Sequence, residues 1–386
     1  MPPEEENKSL AGKTPGDASL PSGRNYERLF QETCARDWAN NLPKRPNILI
    51  CGYTGSGKTS LIRAVCGKDL VPEERIGSGA PVTGGYDCYE NEHIRLWDSR
   101  GLELGMKEED FIRQTRSFIR ERQMDPDVDS HIHLVWYTIQ GCGARVTDCD
   151  LNLIRHIFDP ADEIVVLTKR DITRPAQLEA MRARLTGAGV PDRRIIACSD
   201  EESGSEGCLD LVRLSCELLP DAYRDAFAEA QKLDLELKIE RIRAKSFRAK
   251  AIVSAAVSAA AAVGVTPIPV ADSSVLVPIQ AAMIGSLAAL YNLREAALKE
   301  ALLPFLARGA GVFAASSLLK LLPGLGNGIN AAVAASLTGA MGLYVRNTFE
   351  KIAIARVRGE KTSVIEFDWK AFTLCYDLLR SSGAKK

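Results

Sequence analysis

The densest chemistry in the chain lies in Asn47-Ile-Leu-Ile-Cys-Gly52-Tyr-Thr54-Gly55-Ser56-Gly57-Lys58-Thr59-Ser60-Leu-Ile-Arg63. An apolar run leads into Gly-x-x-x-x-Gly-Lys-Thr, and helix formers follow. In that setting the glycines let the backbone curl until successive N–H groups point inward at an anion. The helix that follows adds the positive end of its dipole. Lys58 is placed to reach β- and γ-phosphates, and the Thr59 hydroxyl to hold Mg²⁺. The expected cradle is Gly52, Thr54, Gly55, Ser56, Gly57, Lys58, Thr59 and Ser60. The competing account is a glycine-rich surface turn.

Further strand-like runs end in residues that bear on the same ligand. His93-Ile-Arg-Leu-Trp-Asp98-Ser-Arg100-Gly101 ends in Asp-x-x-Gly. Asp98 would stand near Mg²⁺ through water, and the Gly101 N–H would meet the γ-phosphate. Glu163-Ile-Val-Val-Leu-Thr168-Lys169-Arg170-Asp171 ends in Thr-Lys-x-Asp. A carboxylate at Asp171 can accept two hydrogen bonds from the N1 and N2 donors of guanine. Adenine lacks that pair, so the motif selects GTP over ATP. The stem of Lys169 can pack across the base. Arg194-Ile-Ile-Ala-Cys-Ser199-Asp200 ends where a base-proximal loop is expected, a weak motif taken alone.

Each motif closes an apolar strand, which is where ligands bind in a doubly wound parallel sheet. The order and spacing of Lys58, Asp98, Asp171 and Ser199 fit a single G domain. Over residues 45–220 the chain resembles the Era-like, translation-factor-related GTPases. Its Thr54-Gly-Ser-Gly-Lys58 core and Thr168-Lys-Arg-Asp171 are also similar to immunity-related GTPases. The resemblance implies an α/β G domain that binds GTP or GDP with Mg²⁺. Gly77-Ser-Gly-Ala-Pro81-Val-Thr83-Gly-Gly-Tyr is loop chemistry, and its Pro-Val-Thr resembles the first switch loop of that family. By that resemblance Thr83 closes on Mg²⁺ and the γ-phosphate and releases after hydrolysis. The alternative is an ordinary turn threonine. The catalytic set is then Lys58, Thr83 and Gly101; the metal set is Thr59, Thr83 and Asp98.

What orders the attacking water is open. Ras-type GTPases carry a glutamine directly after Asp-x-x-Gly; here Leu102 stands there. Potassium-activated relatives carry asparagine at the position of Gly55. Arg100 is either a charge stabiliser or a solvated switch residue. Slow intrinsic hydrolysis is expected, raised by self-association or by a partner. His131 and His133 share one face at the start of the apolar run Leu134-Val-Trp-Tyr-Thr-Ile; they have too few companions for a metal site. Arg145, Asp148 and Asp150 read as loop-to-helix capping.

The chain has 386 residues, 46 % hydrophobic and 26 % charged, with a formal net charge of −1. That balance is ordinary for globular domains and gives no general attraction to nucleic acid, so no specific nucleic-acid partner is expected. Ten scattered cysteines form no CxxC pair, which fits free buried thiols in a reducing cytoplasm. Residues 1–24 are polar and rich in Pro, Gly and Ser. They read as a disordered tail without the pattern of a secretory leader. The G domain is expected over 25–220.

Composition changes after about residue 220. The charged segment 221–250 reads as one long connecting helix, although Leu233, Leu235, Leu237 and Ile239 alternate like a strand. Uncharged runs then cover 251–271, 273–293, 309–319 and 321–345. A bilayer-spanning helix needs about 20 apolar residues, and three of these runs reach that length. Lys245, Arg248, Lys250, Arg294 and Lys299 flank the first two, as a hairpin with both ends cytoplasmic would require. Gly324 and Gly328 have helix-packing spacing. Yet the runs are alanine-rich and broken by Pro267, Pro269 and Pro278. A spanning hairpin, reversible membrane contact and a soluble helical bundle all fit. Residues 250–350, with Pro267-Ile-Pro269, Asp272, Gln280, Met283 and Leu322-Pro-Gly-Leu-Gly, resemble the uncharacterised helical domain fused to bacterial Era-like GTPases. That domain is regarded as membrane-associated and assigns no catalytic residue. The helical domain is expected over 251–359, and 360–386 as a short amphipathic helix and tail.

These features make the chain a Mg²⁺-dependent GTP-binding switch. Its output would be control of membrane association, self-assembly or partner recruitment. The expected partners are GTP, a membrane surface and a second copy of the chain. The expected place is the cytoplasm, peripheral or hairpin-anchored at the inner face of a membrane. The alternatives are a non-hydrolysing GTP sensor, a dynamin-like remodelling machine and a ribosome- or RNA-associated GTPase. The last lacks a basic RNA-binding module.

Overall fold

The apolar runs identified above become strands of one six-stranded sheet. In the computed structural model the described residues are 44–71, 85–99, 101, 107–143, 145–157, 163–199, 204–265, 271–293 and 326–360, with Glu32 and Arg36. Thr83, Arg100, Leu102, Asp200 and the segments 1–24 and 309–319 lie outside them, as does nearly all of 360–386.

The strands are β1 (Asn47–Gly52), β2 (Tyr86–Glu90), β3 (Arg95–Ser99), β4 (Leu134–Gln140), β5 (Glu163–Thr168) and β6 (Ile195–Ala197). They lie in the order β2-β3-β1-β4-β5-β6. β2 is antiparallel to β3 and every other pair is parallel. The connections after β1, β3, β4, β5 and β6 carry α1 (Lys58–Cys66), α2 (Glu108–Gln123), α3 (Asp148–Ile157), α4 (Pro175–Gly187) and α5 (Cys208–Leu218). Strands buried on both faces need apolar residues at every position rather than at alternate ones, and β1 and β5 are buried throughout. Ile48, Ile50, Trp136, Ile164 and Val166 face α1 and α5. Leu49, Tyr137, Val165 and Leu167 face α2, α3 and α4. This is the doubly wound α/β fold with a helical region after it.

The segment 221–250 is not one helix. It is α6 (Asp221–Ala230), α7 (Leu235–Ala244) and the start of α8 (Ser246–Val265). The first break is built by Gln231, which is fully buried. Its amide donates to the carbonyls of Ala228 and Asp234, and its Oε1 accepts from the backbone of Leu233 and Asp234. Asp234 then caps α7 by accepting from Leu237 N and is held by Arg213. Side-chain bonds to nearby backbone compete with helix in this way. The alternating leucines straddle the break: Leu233 and Leu237 pack on the core while Leu235 is exposed. Lys232 N donates to Val65 O, so this turn meets the last turn of α1.

Contacts divide the chain into one unit over Pro43–Ala244 and a second that includes Lys245–Lys386. In the second unit, α8, α9 (Ala271–Leu290) and α10 (Gly326–Val357) pack on one another. The crossing is made by small residues. Ala256, Ala260, Ala334 and Ala340 are buried, and a Cβ on Gly342 would come within 2.7 Å of Val253. Gln280 donates to Thr338 Oγ1 at 3.1 Å inside the packed helices. Among the described residues one helical stretch, Leu235–Val263, contains a segment long and apolar enough by length and composition to cross a bilayer. The eight described cysteines are unpaired; Cys34 and Cys375 lie outside the described residues.

Glu163, the first residue of β5, is 6 % exposed, and its Oε1 has no partner among the described residues. Burial pushes its carboxyl up to about 8, against the opposing charge of Arg194. The native state therefore holds a proton that the unfolded chain releases at ordinary carboxylate pH, and stability falls as pH rises from about 4.5 towards 8. Glu163→Gln is expected to stabilise the protein at pH 8 by on the order of 2–4 kcal/mol, the cost to the native state of holding a proton there that the unfolded chain has released. The gain should vanish near pH 4.5, as urea melts at the two pH values will measure.

Candidate functional site

The parallel register aligns strand ends along one edge: Gly52 pairs with Thr138, and Gln140 with Thr168. β1 ends at Gly52 with φ +149°, and a Cβ there would lie 2.3 Å from Thr138 O. No other residue fits so close to β4. The loop then turns into α1, whose N-terminus has neither a side-chain cap nor an acidic residue in its first turn. Its first N–H groups are left to an anion, as the sequence predicts.

Lys58 is 7 % exposed, and its Nζ donates to Tyr53 O at 3.0 Å and Gly52 O at 3.4 Å. The ammonium is held over the loop's own mouth. Burial lowers its pKa, opposed by Asp98 and Cys51. Thr59 Oγ1 donates to Asp98 Oδ2 at 2.7 Å. Asp98 is 5 % exposed and its Oδ1 has no partner among the described residues. Burial pushes this carboxyl up to about 6; Lys58 and Thr59 oppose the shift and Asp87 adds to it. A hard divalent cation takes oxygen donors, so the unsatisfied Oδ1 beside a threonine hydroxyl fits one. Gly101 closes the group from the side: a Cβ there would stand 2.6 Å from Thr54 N and 2.8 Å from Lys58 Nζ.

On the other flank, Thr168 Oγ1 donates to Ser56 O at 2.5 Å and to Ile139 O at 3.4 Å. Gly57, Ser60, Leu61, Thr168, Lys169, Cys198 and Ser199 line a narrow cavity of about 30 Å³. Ser199 is 2 % exposed, and its hydroxyl has no partner among the described residues. The fold thus brings Ser60, Lys169 and Ser199 together from three distant segments. Asp171 stands apart from them. It is exposed on the 3-10 turn Arg170–Ile172 and lines a larger neighbouring cleft with Arg170, Thr173, Arg182, Glu206 and Asp210.

Thr138 was not foreseen as part of the site. It donates to Cys51 O at 3.1 Å and lies 2.6 Å from the Ser56 hydroxyl. The available signal was a hydroxyl inside the otherwise apolar core of β4. The predicted structural residues take structural places. His133 Nδ1 accepts from Asn47 N and its Nε2 meets Val128 O, while His131 Nε2 meets Asp125 O. Asp150 and Thr147 cap α3 reciprocally, Asp148 pairs with Arg184, and Arg145 is exposed.

A curled loop, an open helix N-terminus, a buried lysine, a Thr–Asp pair and a narrow slot of mixed lining on one sheet edge suit a phosphate-bearing ligand with a chelated cation. No protein-family model matches the chain. Septin CDC11 from Candida albicans is 24 % identical over 162 residues, covering 34 % of this chain and 39 % of the septin. The chain thus spans well under two thirds of that relative's length. Among solved structures, a dimerization-deficient mutant of Toc33 from Arabidopsis thaliana has a TM-score of 0.30 at 14 % identity, over 55 % of this chain and 94 % of that one. The LeoA bacterial dynamin GTPase from ETEC has a TM-score of 0.32 at 13 % identity, over 94 % of this chain and 85 % of that one. The cytosolic domain of the T. maritima FeoB iron transporter has a TM-score of 0.28 at 16 % identity, over 78 % and 97 %. By its sheet order and its glycine-rich loop, the first unit is a doubly wound α/β domain with the loop-to-helix turn of a P-loop.

Proposed function

We propose that the chain is a Mg²⁺-dependent GTP-binding switch and a slow GTPase of the Era-like kind. The observation that carries this is the meeting of Lys58, the Thr59–Asp98 pair, Gly101 and the Thr168–Lys169–Ser199 slot on one sheet edge. The cradle of Gly52, Thr54, Gly55, Ser56, Gly57 and Ser60 would take the phosphates with Lys58. Thr59 and Thr83 would hold Mg²⁺, with Asp98 behind its water shell. The cation would neutralise charge between the phosphates when bound. Asp171 would read guanine, its exposed turn re-aiming towards the slot. Leu102, where a water-orienting glutamine would stand, supports slow turnover and keeps a GTP sensor as the second reading.

The γ-phosphate would order the segments around Thr83 and Gly101. The far end of α1 bonds the Gln231–Asp234 turn, which supports a route from the phosphate loop to α7. The proposed output is membrane association, self-assembly or partner recruitment through a helical domain over 251–359. The uncharged runs, the first of which is the apolar part of the stretch Leu235–Val263, support the first of these.

Lys58→Ala should weaken mant-GTP binding by at least about 100-fold, the loss of a charge-assisted contact of about 3 kcal/mol. Retained binding would sink the proposal. Asp171→Asn should move the base preference from guanine towards xanthine in competition with GTP and XTP. Co-sedimentation with anionic liposomes should be greater with a GTP analogue than with GDP; equal pelleting would remove nucleotide control of the membrane.

A further inference from the structure

β2 and β3 are antiparallel, and their register sets Asp87 directly opposite Asp98. Directly opposed residues share a face, with Cβ atoms roughly 4.5–5.5 Å apart. The next pair on that face, Tyr89 and Leu96, joins the core cluster that includes α1. Both aspartates therefore look towards the side of the sheet on which Lys58 and Thr59 begin α1. Asp87 is half-buried, and no ion pair reaches it among the described residues. Asp98 keeps a buried Oδ1 without a partner among the described residues. Lys58 gives its hydrogen bonds to Gly52 and Tyr53 carbonyls instead. Like charges set directly opposite on a sheet destabilise it. Two carboxylates thus face each other where the fold supplies one half-committed ammonium and the Thr59 hydroxyl.

We propose that Asp87 is a second carboxylate of the divalent-cation site, acting with Asp98 on the water shell of a cation held at Thr59. It rests on the cation site argued under the proposed function and adds a residue that the motifs did not contain. Mg²⁺ dehydrates reluctantly and keeps several waters. A carboxylate that orients those waters contributes to affinity without ligating the metal. Glu90, on the same strand but exposed and paired with Arg95, has no such role.

The test measures mant-GDP release from the full chain against free Mg²⁺. Asp87→Asn is expected to move the Mg²⁺ midpoint upward on the order of tenfold, the usual effect of removing an outer-shell partner. Asp87→Glu should restore most of the midpoint, and Glu90→Gln should leave it in place. Binding at saturating Mg²⁺ should stay within about twofold of wild type. An unchanged midpoint in Asp87→Asn, or an equal shift in Glu90→Gln, overturns the proposal. A second arm needs no nucleotide: millimolar MgCl₂ alone should raise the melting temperature of wild type more than that of Asp87→Asn. Without metal the variant should melt at or above wild type, because the repulsion is gone. If wild type binds no mant-GDP, the nucleotide proposal fails, and the Mg²⁺ melting difference still decides for or against Asp87.

Discussion

Three hydroxyls hold the glycine-rich loop in shape. Thr168 binds the Ser56 carbonyl, the Ser56 hydroxyl meets Thr138, and Thr138 binds the Cys51 carbonyl. A glycine-rich loop loses more backbone freedom on ordering than any other sequence would. These bonds tie it to β4 and β5 at the points where the parallel register brings those strands level with β1. Shift β4 by one residue and Thr138 turns to the other face; Gly52 then meets a different side chain and the loop loses its clamp. The site therefore depends on sheet register as much as on the loop's own residues.

That dependence explains what was legible in the sequence. Lys58, Thr59 and Gly57 belong to one short window whose physics allows few alternatives, and the structure builds the turn and helix start as read. Asp98, Thr168 and Ser199 were found because each closes an apolar run, and ends of parallel strands share an edge. Thr138 packs against the loop, and Asp87 joins the site by proposal; the local marks are slight, a hydroxyl within apolar β4 and an acidic residue in β2. Their meaning appears only when β4 lies beside β1 and β2 beside β3. The direction of the Asp171 side chain depends on a single 3-10 turn, which composition does not specify. The break at Gln231 and Asp234 was missed for another reason. Helix propensity over 221–250 is high, and four side-chain bonds to backbone outweigh it.

Two of the buried polar atoms without a partner bear on the site. Asp98 and Ser199 both stand on the ligand edge, each with a polar atom that lacks a partner among the described residues. Each such group costs on the order of 1–3 kcal/mol. A fold whose net stability is typically about 5–15 kcal/mol tolerates few of them. A ligand that binds only the folded form returns stability by mass action, so the edge that destabilises the empty fold is the edge that gains most from occupation. Glu163 lies at the opposite end of β5 from Thr168. Its buried carboxyl has no such return, so it is a stability defect rather than a site.

The helical unit obeys a different balance. Alanine and glycine bury little area, so crossings such as Gly342 against Val253 are held mainly by close packing. Dispersion between tightly packed helices is much the same in water and in hydrocarbon. The packing inside α8, α9 and α10 therefore places no strong demand on the medium, and the outward face decides. On α8 the exposed positions are Ala251, Ser254, Ala255, Ser258 and Ala262, preceded by the exposed Phe247, Arg248 and Lys250. Small side chains there gain little from entering a bilayer and lose little by leaving it. A nucleotide can shift an equilibrium only by its differential affinity for the two states, typically about 1–3 kcal/mol of coupling. Contact made through so weakly apolar a face favours the reversible form of the proposed membrane association over permanent insertion.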